Sequence, residues 1–138
     1  MVSEFVGKYR FLSNFYPAPV TFEGRLYTTV EHAFQASKST DEGVREMIAN
    51  VRYPSDAKTL GRRVDLRPNW PEIKLGIMLQ LLREKFSDPV FKAVLLSTGD
   101  EELVEGNWWN DRFWGVCRGE GENHLGKLLM QIRDELRA

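Results

Sequence analysis

Cysteine, histidine and a surplus of either charge are what this 138-residue chain has least of. Cys117 is the only cysteine, so no intrachain disulfide can form, and it reads as a small buried hydrophobe. His32 and His124 lie far apart in sequence, and neither belongs to an HExxH pattern or a Cys/His cluster with zinc spacing. The chain also lacks a P-loop, a dinucleotide-binding glycine fingerprint and a G-x-S-x-G elbow. The expectation is therefore no metal and no cofactor. Nineteen basic against twenty acidic residues leave a net charge of -1, which excludes a protein that coats duplex DNA by bulk electrostatics. Any nucleic-acid contact must be local. No run reaches the roughly 20 apolar residues of a membrane helix; the densest, Gly76 to Leu82, is broken by Gln80. Met1-Val2-Ser3-Glu4 lacks signal-peptide character, so the expected location is cytoplasmic.

What is present suits a soluble globule. Apolar types make up 42% and charged types 28%, and the length fits one domain spanning residues 1–138. Val20-Thr21-Phe22 and Leu26-Tyr27-Thr28 are β-prone and flank Glu23-Gly24-Arg25, which reads as a three-residue hairpin loop. From Thr29 the period becomes helical. Thr29 suits an N-cap for a helix through Ser39, with Val30, Ala33, Phe34 and Ser37 facing inward. Asp41 can cap a helix to Asn50, and Ser55-Asp56 another ending near Gly61. Trp70 to Ser87 is the strongest helix, with Pro71 in its first turn and apolar residues around more than half its circumference. Pro89 starts a helix to Thr98 that Gly99 stops, Leu103 to Trp109 is extended, and a last helix covers Asn123 to Arg137. The prediction is a mainly α fold, a single compact helical domain with a small N-terminal β-hairpin.

Three groups could carry chemistry. Glu31, Gln35 and Lys38 fall within an arc of about 60° beside the apolar stripe of the first helix. Such an edge can present a carboxylate, an amide and an amine to one ligand, although charged residues are mostly exposed and position alone favours a solvated edge. Trp108-Trp109-Asn110-Asp111-Arg112-Phe113-Trp114 sets three indoles around a carboxylate. That suits a heteroaromatic ring with a sugar, and it equally suits anchors that pin a loop to the core. Gly119-Glu120-Gly121-Glu122-Asn123 precedes the last helix and could offer N–H groups to a phosphate, with Arg118 adding charge. Glu120 and Glu122 oppose an anion, which favours a plain turn capped by Asn123. Lys74, on the most apolar helix, reads as a desolvated amine or, more commonly, one that snorkels to water.

Several of these segments together resemble one family. Phe11-Leu12-Ser13-Asn14-Phe15 and Tyr27-Thr28-Thr29-Val30-Glu31-His32-Ala33-Phe34-Gln35-Ala36-Ser37-Lys38 are similar to the FLSNF and Y-x-x-x-EHxxQxxK signatures of NADAR, or YbiA-like, proteins. Ala57-Lys58-Thr59-Leu60-Gly61-Arg62, Asp111-Arg112-Phe113-Trp114-Gly115 and Asn123 to Met130 resemble three more of its segments, in the same order. The resemblance covers nearly the whole chain and moves the Glu31–Gln35–Lys38 edge from solvated surface to site.

The resemblance implies a compact mainly α fold and N-glycosidase activity without a metal. Two substrate classes follow from it: phosphoribosylamino-pyrimidine intermediates of riboflavin synthesis, and ADP-ribose attached to guanine in nucleic acid. Both carry ribose on an exocyclic amine, and a ribosylamine can ring-open to an imine that a lysine intercepts. On that basis Lys38 attacks the anomeric carbon, provided burial or a neighbouring cation lowers its pKa, and Glu31 moves protons. The two are separated by roughly 10 Å along the helix axis, so their side chains must converge on the ligand. Asp111 holds ribose hydroxyls or shares the proton transfer, Trp114 stacks on the base, and Asn14 and Gln35 orient polar edges. Phe15, Gly115, Arg118 and Asn123 complete the expected binding surface. The alternative mechanism omits Lys38 attack and has Glu31 or Asp111 activate water. The expected partner is a small-molecule nucleotide, with no membrane. Local contact with ADP-ribosylated nucleic acid is the alternative, for which Arg62, Arg63 and Arg67 are basic candidates. A third reading is a non-catalytic module that binds ADP-ribose. The sequence does not give the oligomeric state.

Overall fold

The computed structural model describes residues 1–138. The chain is mainly helical with an antiparallel hairpin near its N-terminus, as the sequence predicts, and divides into two compact units. One is Asn14–Lys85; the other joins Met1–Ser13 to Phe86–Ala138.

In the unit Asn14–Lys85, strands β1 (Val20–Phe22) and β2 (Arg25–Tyr27) pair with Phe22 opposite Arg25. The loop is shorter than predicted: Arg25 belongs to the strand, and only Glu23 and Gly24 turn the chain. Their φ values of 45° and 85° are the paired positive angles of a two-residue turn whose twist matches the strands. Helix α1 (Val30–Ser37) starts where expected, because the Thr29 hydroxyl accepts from the His32 N–H. It ends two residues earlier than predicted, with Lys38 as its C-cap. Helix α2 (Glu42–Asn50) is capped by Asp41. Helix α3 (Pro54–Gly61) begins before Ser55, at a proline that tolerates the first turn, and no side chain caps it. Helix α4 (Trp70–Lys85) buries Trp70, Ile77, Met78, Leu81 and Leu82. Helix α1 packs on α2, α3, α4 and the hairpin, so it is the hub of this unit. Glu84 ties α4 to β1 by accepting from the Thr21 N–H and hydroxyl. The last residue of α4, Lys85, is 2% exposed, and burial pushes its pKa down to about 7.

The second unit holds a 3-10 helix at Gly7–Leu12 that the sequence did not announce, then α5 (Pro89–Leu96) and α6 (His124–Arg137). Asp88 caps α5, and Gly99, at φ 62°, follows it in the left-handed conformation. The segment read as extended forms only a short parallel pair, β3 (Gly106–Asn107) with β4 (Val116–Cys117). Val2 bridges to Leu103 beside it. Helix α6 buries Leu125, Leu129 and Ile132, and the Arg133 guanidinium donates to the Thr98 hydroxyl at 2.8 Å. No helix is long and apolar enough to cross a membrane.

Candidate active site

Every side chain of α1 is buried, polar ones included. A buried polar group needs a partner, and the local sequence supplies most of them. His32 Nδ1 lies 2.7 Å from the Thr29 hydroxyl and Nε2 lies 2.9 Å from the Val51 carbonyl, which fastens α1 to the end of α2. The Glu31 N–H donates to the Asn14 carbonyl at 3.1 Å. This bond lays the Asn14–Phe15 turn against the first turn of α1.

Glu31 and Gln35 are 8% and 6% exposed. They are therefore not a solvated helix edge. One turn apart, they meet: Gln35 Nε2 donates to Glu31 Oε1 at 2.8 Å. Gln35 Oε1 has no hydrogen-bond partner, nor does Oδ1 of buried Asn14, whose Nδ2 points at Met78 Sδ 3.6 Å away. Both amide oxygens are buried from water, and Gln35 Oε1 lies against the Gly61 backbone. Gly61 of α3 brings its backbone against Gln35; a Cβ there would fall on the Gln35 amide. Phe34 and Trp70 pack with ring centroids 5.3 Å apart, and Phe15 stays partly exposed.

Lys38 is half-buried. Burial lowers its pKa most; Glu31 acts in the opposite sense, while Arg62, Lys58 and Lys74 lower it further. The sequence asks for a pKa lowered by burial or a neighbouring cation, and burial is the larger cause here. Lys74 is half-buried too, inside this field of charge.

The remaining candidates belong to the second unit. The Asn107 side chain brackets Asp111: Nδ2 donates to the Asp111 carbonyl at 2.8 Å, and Oδ1 accepts from the Asp111 N–H at 2.9 Å. Asp111 Oδ1 in turn accepts from the N–H groups of Phe113 and Trp114 at 3.2 and 2.9 Å. That carboxylate shapes the turn that presents Trp114. The Trp114 ring meets Phe113 edge-on at 4.8 Å. Trp108 is 81% exposed and packs edge-to-face on Trp109, so the indoles are not all core anchors. Gly115 has no room for a side chain, since a Cβ would strike Glu105.

Asn123 does not cap α6 with its side chain. It sits at φ 53°, and its amide instead accepts from the Glu105 N–H and donates to the Leu103 carbonyl. Four N–H groups at this helix start are not open to a phosphate. The N–H groups of Glu122, Asn123, His124 and Leu125 all donate to backbone carbonyls. Arg118 is exposed in a tight turn closed by Cys117 and Glu120. Asn107 was missed in the sequence because an isolated asparagine carries no periodic signal, and Lys58 was quoted only within its motif, with no role attached. No group of three or more His, Cys, Asp or Glu side chains is arranged to hold a metal ion.

Comparison with known proteins places the chain in a family. The family model described as the NADAR domain matches residues 4–137. The N-glycosidase YbiA of Escherichia coli is 41% identical over 128 residues, covering 90% of this chain and 79% of that protein. The solution NMR structure of E. coli YbiA superposes with a TM-score of 0.86 at 38% identity, over 99% of this chain and 85% of that one. An N-glycosidase from Nostoc punctiforme is 40% identical over 136 residues, 94% of this chain and 86% of its own length. A riboflavin biosynthesis protein from Vibrio vulnificus is 37% identical across 91% of this chain, which matches 35% of that longer protein. The chain belongs to the NADAR domain family and is an N-glycosidase.

Proposed function

We propose that the protein hydrolyses a phosphoribosylamino-pyrimidine intermediate of riboflavin synthesis to ribose 5-phosphate and the free aminopyrimidine, in the cytoplasm. The observation that carries this reading is Lys38, a half-buried amine with a lowered pKa at the end of the helix that buries Glu31 and Gln35. A primary amine that gives up its proton more readily than an exposed lysine is what a ribosylamine calls for. Ring opening breaks the C1′–O4′ bond, O4′ takes a proton from Glu31, and C1′ becomes an imine carbon. Lys38 adds to C1′; proton transfer then expels the pyrimidine amine and leaves the sugar as an imine on Lys38. One water adds to that imine, Lys38 departs, and the aldehyde form of ribose 5-phosphate is released. No electron transfer is required. The name of the Vibrio vulnificus relative supports the substrate class.

A second reading, removal of ADP-ribose from guanine in nucleic acid, is favoured by one observation: Trp108 and Trp109 offer exposed indoles on which bases can stack.

Borohydride added during turnover tests the chemistry. It should trap a sugar adduct on Lys38, and Lys38→Arg should lose both adduct and turnover. An active Lys38→Arg enzyme would leave only direct attack by water. Parallel incubation with the pyrimidine nucleotide and with an ADP-ribosylated guanine oligonucleotide decides the substrate.

A further inference from the structure

Gly61 is the last residue of α3, and nothing in its own backbone requires a glycine. Its φ is not positive, so any residue can adopt it, and alanine is the better helix former. What excludes a side chain there is Gln35. A Cβ on Gly61 would overlap Gln35 Oε1 and lie 2.7 Å from its Cδ. The Gln35 amide thus fills the space that a side chain at 61 would take. From that seat Nε2 donates to Glu31 Oε1 at 2.8 Å. Turning the amide over would set two oxygens against each other, so the contact fixes its orientation. Gln35 Oε1 has no hydrogen-bond partner, and leaving a buried acceptor unsatisfied costs free energy. The amide is therefore not placed for its own hydrogen bonding; it is placed for Glu31. The Glu31 backbone is fixed as well, because its N–H donates to the Asn14 carbonyl.

We propose that Gln35 and Gly61 are positioning residues for the reaction. Gly61 leaves the gap in which the Gln35 amide lies, and the amide holds Glu31 Oε1. The proton that Glu31 passes to substrate is then carried on Oε2, because the carbonyl oxygen of a carboxylic acid accepts a hydrogen bond better than its hydroxyl. This inference rests on the proton-transfer role of Glu31 given above. It changes the role of Gln35, which the sequence set against polar edges of the ligand.

Steady-state kinetics of the full chain with the pyrimidine nucleotide test it, with circular dichroism to confirm folding. Gln35→Met keeps the volume and removes the donor. Its kcat should fall about tenfold or more, the worth of a hydrogen bond to a charged group, while KM stays within about twofold. Gly61→Ala meets the flexible end of Gln35, not backbone, so the chain should fold and lose kcat in the same way. Gln35→Ala empties the space, so adding Gly61→Ala to it should cost nothing further. Gly76→Ala, on an exposed part of α4 with nothing within 4 Å of the new methyl, should leave kcat unchanged. Since Gln35 acts through Glu31, single-turnover rates should show no added loss from Gln35→Met in a Glu31→Gln background. A raised KM with unchanged kcat in Gln35→Met would make Gln35 a ligand contact and overturn the proposal. Full activity in both Gln35→Met and Gly61→Ala would overturn it as well; an inactive Glu31→Gln enzyme beside them would leave the proton-transfer reading standing. An active Glu31→Gln enzyme would sink that reading and the positioning role with it. If Gly61→Ala does not fold, Gln35→Met and its combination with Glu31→Gln decide. If the wild type turns over only the ADP-ribosylated guanine oligonucleotide, the substrate reading fails, and the same comparisons on that substrate decide the positioning role.

Discussion

Between Val30 and Ser37 every side chain is buried, and the backbone is fixed by helical hydrogen bonds and a threonine cap. Between Asn107 and Trp114 there is no helix, and two side chains, those of Asn107 and Asp111, fix the backbone while Trp108 stands out in solvent. Both segments carry carboxylates and aromatic rings, yet they hold them differently. In α1 the neighbours set the properties of the polar groups: burial and nearby charge tune Lys38, and Gln35 occupies Glu31. In the tryptophan loop, the Asn107 amide and one oxygen of Asp111 shape the turn, and Trp108 and Trp109 are exposed. Proton transfer and nucleophilic chemistry suit the first environment, and stacking suits the second.

The largest effect expected concerns the cost of burying charge in the helical unit. Folded Lys85 titrates at about 7, against 10.5 ordinarily. Between those values the unfolded chain holds a proton that the folded chain lacks, so stability rises with pH from about 7 toward 10. At pH 7 and below the burial cost is fully present. Lys85→Met should raise stability there by a few kcal/mol, on the order of three pKa units' worth, and should flatten the slope. Urea unfolding between pH 6 and 10 measures both. An unchanged slope would show that burial in this unit does not tune amines as described. Next in size, Glu31→Gln keeps volume and removes the proton carrier; kcat should fall at least about 100-fold without loss of fold. Trp114→Ala should weaken ligand binding about tenfold, as stacking of about 1–3 kcal/mol implies, while unfolding stays cooperative. If the variant simply unfolds, Trp114 is an anchor and the contrast between the two segments fails at that ring. The smallest effect is none at all: EDTA should leave activity intact, and loss restored by a divalent ion would place a metal where neither segment gathers ligands.

Local chemistry made much of the fold legible. Thr29 and Asp41 cap the helices they were expected to cap, because N-caps act within three residues. The hairpin loop was read one residue too long, since nothing in the composition shows that Glu23 takes a positive φ. Asn123 was assigned to its own helix, but its amide reaches Leu103 and Glu105, some 20 positions back. The same limit governs the candidate site. Glu31, Gln35 and Lys38 share a helix, so their grouping follows from periodicity. Their burial, and the approach of Lys58, Arg62 and Lys74, depend on how α3 and α4 pack on α1.

The Asn107 bracket has a consequence for how such an enzyme can change. One amide closes the loop at Asp111, so residues 108–110 form a cassette whose ends are fixed independently of what lies between. Exchange of Trp108 or Trp109 leaves that clasp's two hydrogen bonds in place, whereas Asn110, at φ 68°, suits a residue that tolerates the left-handed conformation. The two exposed indoles can therefore be exchanged without reopening the loop that carries them.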